Sequence, residues 1–210
     1  MRGESFIRAG GSPRGTPRPI LERRAERWSA LKRSPIALEP SSAPPRLRPS
    51  PTAAEPKAIR LAQVIATGFG AGYVPLAPGT AGTAVAVPLA WALSHLSDPA
   101  QLASIACLAL VAVWAAQRAG QAFGNADDPR IVSDEVAGFM VTVALLPATP
   151  GVLSLGFVLF RVLDQLKPWP ASYFDRRVKN GWGNVLDDVV AGLYGRACLE
   201  LVLEVWARGG

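Results

Sequence analysis

From about residue 58 onward the chain alternates long apolar stretches with short polar turns. "AIRLAQVIATGFGAG" is apolar and turns glycine-rich, and "YVPLAPGTAGTAVAVPLAWALSHL" is a Pro/Gly loop leading into an apolar segment. "PAQLASIACLALVAVWAAQRAG", "IVSDEVAGFMVTVALLPATP" and "GVLSLGFVLFRVLDQLKPWP" follow, each closed by polar or proline-bearing residues. "YFDRRVKNGWG" reads as a charged loop, and a last helix is expected from near Gly183 through "NVLDDVVAGLYGRACLELVLEVW". Period-2 alternation is absent, and the runs are too long and too rich in Ala and Leu for strands. The pattern predicts an all-α fold, a compact bundle of about six helices.

The span 99–116 is free of charge and long enough to cross a hydrocarbon core of ~30 Å. The other apolar runs are shorter or carry ionisable groups. They suit short or tilted membrane helices, or the core of a compact bundle, so membrane association is expected and its topology left open.

Charge is unevenly placed. The formal net charge is +6, yet residues 1–57 hold 12 Lys+Arg against 5 Asp+Glu, and the remainder holds 10 against 11. Residues 1–57 also contain 10 of the 19 prolines and no lasting apolar period, so they are expected to form a disordered, basic Pro/Arg-rich extension. Ile20, Arg24, Trp28 and Leu31 share one side of a candidate short helix around "PILERRAERWSALKR" within it, and such a tail suits anionic headgroups or plain solvent. The domain proper is residues 58–210. With basicity confined to the tail, no nucleic-acid partner is expected. Cys107 and Cys198 lie in apolar runs without metal-ligand spacing and read as core packing. His95 is the only histidine, so a zinc site is not expected.

Four segments carry the candidate chemistry. In "IVSDEVAGF", Asp134 and Glu135 precede Gly138; in "NVLDDVVAGL", Asp187 and Asp188 precede Gly192. An acid and a glycine four residues apart share a helix face, and the glycine lets a neighbouring helix come close. Two such helices packed together bring up to four carboxylates into one volume, where they repel unless protonated or bridged by a cation. Clustered carboxylates suit Mg²⁺ or another hard divalent ion. Each pair alone also fits the ordinary preference for acids in a first helical turn. The third segment, "FRVLDQLKPWP", places Arg161, Asp164 and Lys167 near one side of a helix. Asp164 can join the metal shell or hold Arg161, while Arg161 and Lys167 are suited to phosphate. The fourth, "APGTAGT", supplies Gly79, Thr80, Gly82 and Thr83 at a helix start. Its amides can hold an anion, or it is simply a Thr-capped start. It is not a Walker A loop, and the chain has no C-x₅-R or G-x-S-x-G motif.

Together these stretches resemble the phosphatidylglycerophosphatase A family over roughly residues 61–206. The matching stretches are "ATGFGAGYVPLAPGTAGTAVAVP", "DDPRIVSDEVAGF", "LFRVLDQLKPWPASYFDRR" and "GWGNVLDDVVAGL". The resemblance implies an enzyme that removes the terminal phosphate of phosphatidylglycerophosphate to give phosphatidylglycerol, with Mg²⁺. It implies a place at the bacterial inner membrane among membrane lipids. With basic loop residues on the cytoplasmic side, the active site is expected to face the cytoplasm. A homo-oligomer is left open. Asp134, Glu135, Asp187 and Asp188 match the family's acidic pairs and are the expected metal ligands. Asp164 joins them as a catalytic candidate, with Arg161, Lys167, Gly79, Thr80, Gly82 and Thr83 for phosphate. The rival reading is a small transporter or ion-binding helical protein using the same carboxylates; against it, no internal repeat is visible and the apolar spans are few.

Overall fold

A computed structural model describes residues 54–209. Among these residues there are seven α-helices and no strand. They are α1 (Ala54–Ala66), α2 (Pro78–Leu93), α3 (Asp98–Phe123), α4 (Ser133–Val143), α5 (Pro150–Leu166), α6 (Ala171–Arg177) and α7 (Gly181–Gly209), with a 3-10 turn at Ala71–Tyr73. The all-α expectation agrees with this. The additional helix is α6, which lies in the segment read as a charged loop. It is only two turns long and follows Pro168 and Pro170, too short for an apolar period to show. The helix expected within the basic extension, like most of that extension, lies outside the described residues; α1 begins at Ala54, inside the stretch assigned to it.

The short helix α4 is the hub. It packs against α2, α3, α5 and α7, and its Phe139 and Met140 are buried with Phe160 of α5 and Leu199 of α7. Two glycines bring α4 and α7 together. A Cβ on Gly138 would meet the carbonyl oxygen of Asp188, and one on Gly192 would overlap the carbonyl of Gly138. The Thr142 hydroxyl donates at this crossing, 3.1 Å from the Gly138 carbonyl and 3.3 Å from that of Gly192.

The start of α4 is fixed from the other side. The Val132 amide donates to the Ala66 carbonyl at the end of α1 (2.7 Å), and the Val132 side chain packs where a Cβ on Gly82 would stand. Gly72 packs directly on the Arg130 carbonyl. The glycine-rich segment after α1 therefore holds the loop that leads into α4 in place. The start of α7 is pinned by Asn180, whose Oδ1 accepts from the amides of Trp182 (3.0 Å) and Gly183 (3.1 Å). This cap begins the helix two residues earlier than expected. Gln117 of α3 accepts from the Gly181 amide (2.9 Å).

Cys107 and Cys198 are both exposed, which corrects their reading as core residues. They lie on outward faces of α3 and α7, where the surrounding apolar residues are exposed as well. This distribution is general. Large apolar side chains such as Leu76, Leu110, Leu166 and Leu201 are exposed, while Asp164, Asp187 and Asp188 are buried. All five tryptophans among the described residues, Trp91, Trp114, Trp169, Trp182 and Trp206, are exposed. One described helix, α3, is long and apolar enough to cross a membrane.

Candidate active site

The acidic pairs meet. Asp134 and Glu135 stand in the first turn of α4, and Asp187 and Asp188 stand two turns into α7. The Gly138–Gly192 crossing draws these turns into one polar cleft of about 560 Å³, walled also by the start of α2 and the end of α5. One carboxylate oxygen each from Asp134, Glu135 and Asp188 lies within 4.8 Å of the others. Asp187 turns aside: its Oδ2 accepts from Lys167 Nζ at 2.6 Å.

The cations are tied to acids. Arg161 Nη1 donates to Asp164 Oδ2 at 2.7 Å and stands 3.8 Å from Glu135 Oε1. Lys167 ends α5 in the left-handed region, at φ 43°, which turns its side chain toward α6 and α7. Its ammonium donates to Asp175 Oδ1 (2.7 Å) as well as to Asp187. An ammonium has three donors, so one remains for a ligand. Burial alone would lower the Lys167 pKa, but the bonds to Asp175 and Asp187 outweigh it and hold the amine protonated. The Lys167 contact lowers the Asp175 pKa.

Of the glycine-threonine loop, Gly79 and Thr80 line the cleft and Gly82 and Thr83 do not. The Thr83 hydroxyl is buried and donates to the Gly79 carbonyl (2.9 Å). Pro78 occupies the first turn of α2, and Ala77 gives that helix no side-chain cap. The amides of Gly79 and Thr80 are thus the open end of a helix dipole, next to Arg161. A Cβ on Gly79 would overlap Glu135 Oε1 and stand 3.0 Å from both Arg161 Nη atoms. Gly79→Ala is expected to displace both groups and lower turnover by about ten- to a hundredfold. Because the displaced atoms end flexible side chains, the melting temperature should move little; comparing kcat with thermal unfolding checks this.

Burial sets the protonation of the acids. It raises the Asp134 pKa well above the usual carboxylate value, reinforced by Glu135. Burial likewise raises Asp188, with Asp164 and Asp134 adding to it, and raises Glu135. Asp187 is pushed up to about 6 by burial, with Lys167 opposing. A carboxyl whose pKa is raised on folding stabilises the fold below its unfolded pKa and loses that advantage as pH rises through the folded value. For Asp187 the window runs from 3.8 to about 6, and the other three shift in the same direction. In chelator, the melting temperature is therefore expected to fall between about pH 4 and about pH 6. A divalent cation should restore more stability at the upper end, which scanning fluorimetry at fixed ionic strength can read.

The donor set fits a hard divalent cation. It consists of carboxylate oxygens, and the buried Glu135 Oε2 has no hydrogen-bond partner. Asp175, Asp128 and Asn184 are among the cleft-lining residues that sequence reasoning missed. Asp175 lies in the presumed loop. Asp128 braces Arg130 bidentately (2.7 and 2.9 Å); an Asp-x-Arg spacing inside "DDPR" was its only signal. Asn184 donates to the Ala126 carbonyl (2.8 Å) and had none.

A helical protein with a cleft suited to a divalent cation and a tetrahedral oxyanion is the class these features define. Residues 64–203 match the sequence profile of the family described as Phosphatidylglycerophosphatase A, and the chain belongs to that family. It is 36% identical over 149 residues to Phosphatidylglycerophosphatase A of Escherichia coli (strain K12), covering 70% of this chain and 86% of that protein. It is 38% identical over 148 residues to the Haemophilus influenzae protein of the same name, covering 68% and 88%. A Putative phosphatidylinositol-3-phosphatase of Bacteroides thetaiotaomicron is 33% identical over 154 residues, covering 70% and 94%. No solved structure matches the chain.

Proposed function

We propose that this chain is a Mg²⁺-dependent lipid phosphatase that hydrolyses the terminal phosphate of phosphatidylglycerophosphate to phosphatidylglycerol. The observation that carries the reading is the meeting of Asp134, Glu135 and Asp188 within 4.8 Å beside Arg161 and the uncapped start of α2, in a chain of this family. Asp134, Glu135 and Asp188 would hold the ion, which when bound supplies Lewis-acid polarisation of a phosphoryl oxygen and orientation of a water. Arg161 and the Gly79 and Thr80 amides hold the phosphoryl oxygens as negative charge builds on them. Lys167 donates its third N–H to the same group and keeps Asp187 in place. Asp187, which lines the cleft but stands outside the three-acid cluster, accepts the proton of the attacking water. The water oxygen bonds phosphorus and the phosphorus–glycerol oxygen bond breaks with its electron pair going to the glycerol oxygen; that oxygen takes up a proton from solvent, Asp187 later returns its own proton to solvent, and inorganic phosphate and the lipid alcohol leave.

The exposed tryptophans and the apolar surface of α3 support a place at a lipid surface, where amphipathic aromatic rings collect. Arg118, Arg176, Arg177 and Lys179 are exposed, and they support a cytoplasmic-facing cleft at the inner membrane by the positive-inside bias. The test is phosphate release by the purified protein from a panel of lipid phosphomonoesters, with Mg²⁺ and with EDTA. The panel includes phosphatidylinositol 3-phosphate, the headgroup in the name of the third relative. Preference for phosphatidylglycerophosphate and loss of turnover in EDTA support the proposal. Equal release in EDTA removes the metal from it, and no release from any lipid ester removes the function.

A further inference from the structure

A second cavity lies between α2 and α5, the two helices whose ends also wall the cleft. It is a groove of about 640 Å³, lined by Val87, Pro88 and Trp91 on one wall and Leu153, Phe157 and Val158 on the other. None of its lining residues is charged, and the volume lies within the range of ~300–1,000 Å³ typical of small-molecule sites.

Helix periodicity joins the groove to the cleft. On α2, Thr80, Ala84, Val87 and Trp91 follow at intervals of three or four and share a face. Thr80 belongs to the cleft and Val87 and Trp91 to the groove. Ala84, between them, is small and exposed. On α5, running the other way, Ser154, Val158, Arg161 and Gln165 repeat the pattern. Arg161 and Gln165 line the cleft, Ser154 and Val158 the groove. The shared helix faces therefore align the groove with the phosphate end of the cleft, and the groove's lining is apolar apart from Ser154. From Thr80 to Trp91 the shared face is about 16 Å long at a rise of 1.5 Å per residue. Trp91 stands 55% exposed at its far end.

We propose that this groove receives one acyl chain of the phospholipid substrate while the phosphate occupies the cleft; the inference rests on the lipid phosphatase reading. The groove then contributes specificity for acylated over free headgroup esters, because methylenes leave water or lipid for Val87, Phe157 and Val158. Its bulk-sensitive positions are Val158 and Ser154, both exposed, so large side chains there fill the groove without entering the core.

The experiment compares kcat/KM for dipalmitoyl and for fully deacylated phosphatidylglycerophosphate in the same detergent. The proteins are wild type, Val158→Trp and Ser154→Trp. The acylated-to-deacylated ratio is expected to fall at least about tenfold in both variants, the equivalent of about two methylenes no longer buried. In parallel, a phosphomonoester lipid with a diazirine on its acyl chain is photolysed with wild type, and the adducts are mapped. Adducts on residues 84–91 and 153–158 that an excess of the unmodified lipid suppresses support the groove. Unchanged ratios together with no such adducts overturn it, and turnover by wild type in that case leaves the phosphatase reading standing. Should wild type release no phosphate from either ester, the phosphatase reading fails while adduct mapping still decides the groove.

Discussion

Asp188→Asn is expected to lower kcat for phosphate release by about a hundred- to a thousandfold while raising the melting temperature of the protein in chelator. The two effects share one cause. Asp188 is only 4% exposed and no cation pairs with it among the described residues; its neighbours are Asp164, Asp134 and Glu135. In the metal-free protein burial and the neighbouring carboxylates disfavour its charge. An amide of the same size removes that charge and removes an anionic oxygen from the cluster that would hold the ion. A carboxylate kept only for the architecture would behave otherwise: its loss would lower stability and activity together. Steady-state kinetics in saturating Mg²⁺, paired with scanning fluorimetry in EDTA, separate the cases. A variant that is both less stable and fully active would remove Asp188 from the site.

Gly192→Ala is expected to destabilise the fold by about 3 kcal/mol, the upper part of the usual range for overpacking. For a domain of this size that is a fall of about 6–12 °C in melting temperature. The added methyl would meet the main-chain carbonyl of Gly138 and, beyond it, the Cβ of Val141. Backbone on the hub helix cannot rotate away as a side chain can. The two helices must separate, and that separation also spreads Asp134 and Glu135 from Asp188. Loss of stability should therefore come with weaker divalent-ion stabilisation, measured as the Mg²⁺-dependent rise in melting temperature. A near-neutral Gly192→Ala with full ion response would mean that the crossing is looser than the packing implies.

Much of this is legible in the sequence. Long Ala/Leu-rich runs between proline and glycine turns define helices because they exceed strand length and lack period-2 alternation. The acid-to-glycine spacing of four carried further, since it places a charge and a close-approach point on one helical face. What stayed illegible was short or non-local. Helix α6 is too brief to show a period. Asn180 caps α7 through a side-chain acceptor that an ordinary loop asparagine also carries. The pairing of Lys167 with Asp175 and Asp187 joins residues 8 and 20 positions apart, which no helical repeat encodes. The cysteines show the opposite failure: hydrophobic neighbours mark a core only when the outer surface is polar, and here much of that surface is apolar.

By itself the sequence determined the helical class, the family, and the set of acids and cations available to a site, because these depend on local periodicity and residue chemistry. The tertiary structure decided how that set divides. Packing of α4 on α7 through Gly138 and Gly192 gathers Asp134, Glu135 and Asp188. The left-handed turn at Lys167 draws Asp187 away to an ammonium. The rotation of α2 gives Gly79 and Thr80 to the cleft and Gly82 and Thr83 to the core. Each outcome depends on the direction in which a side chain leaves its helix relative to a distant neighbour, and that relation exists only once the helices have packed.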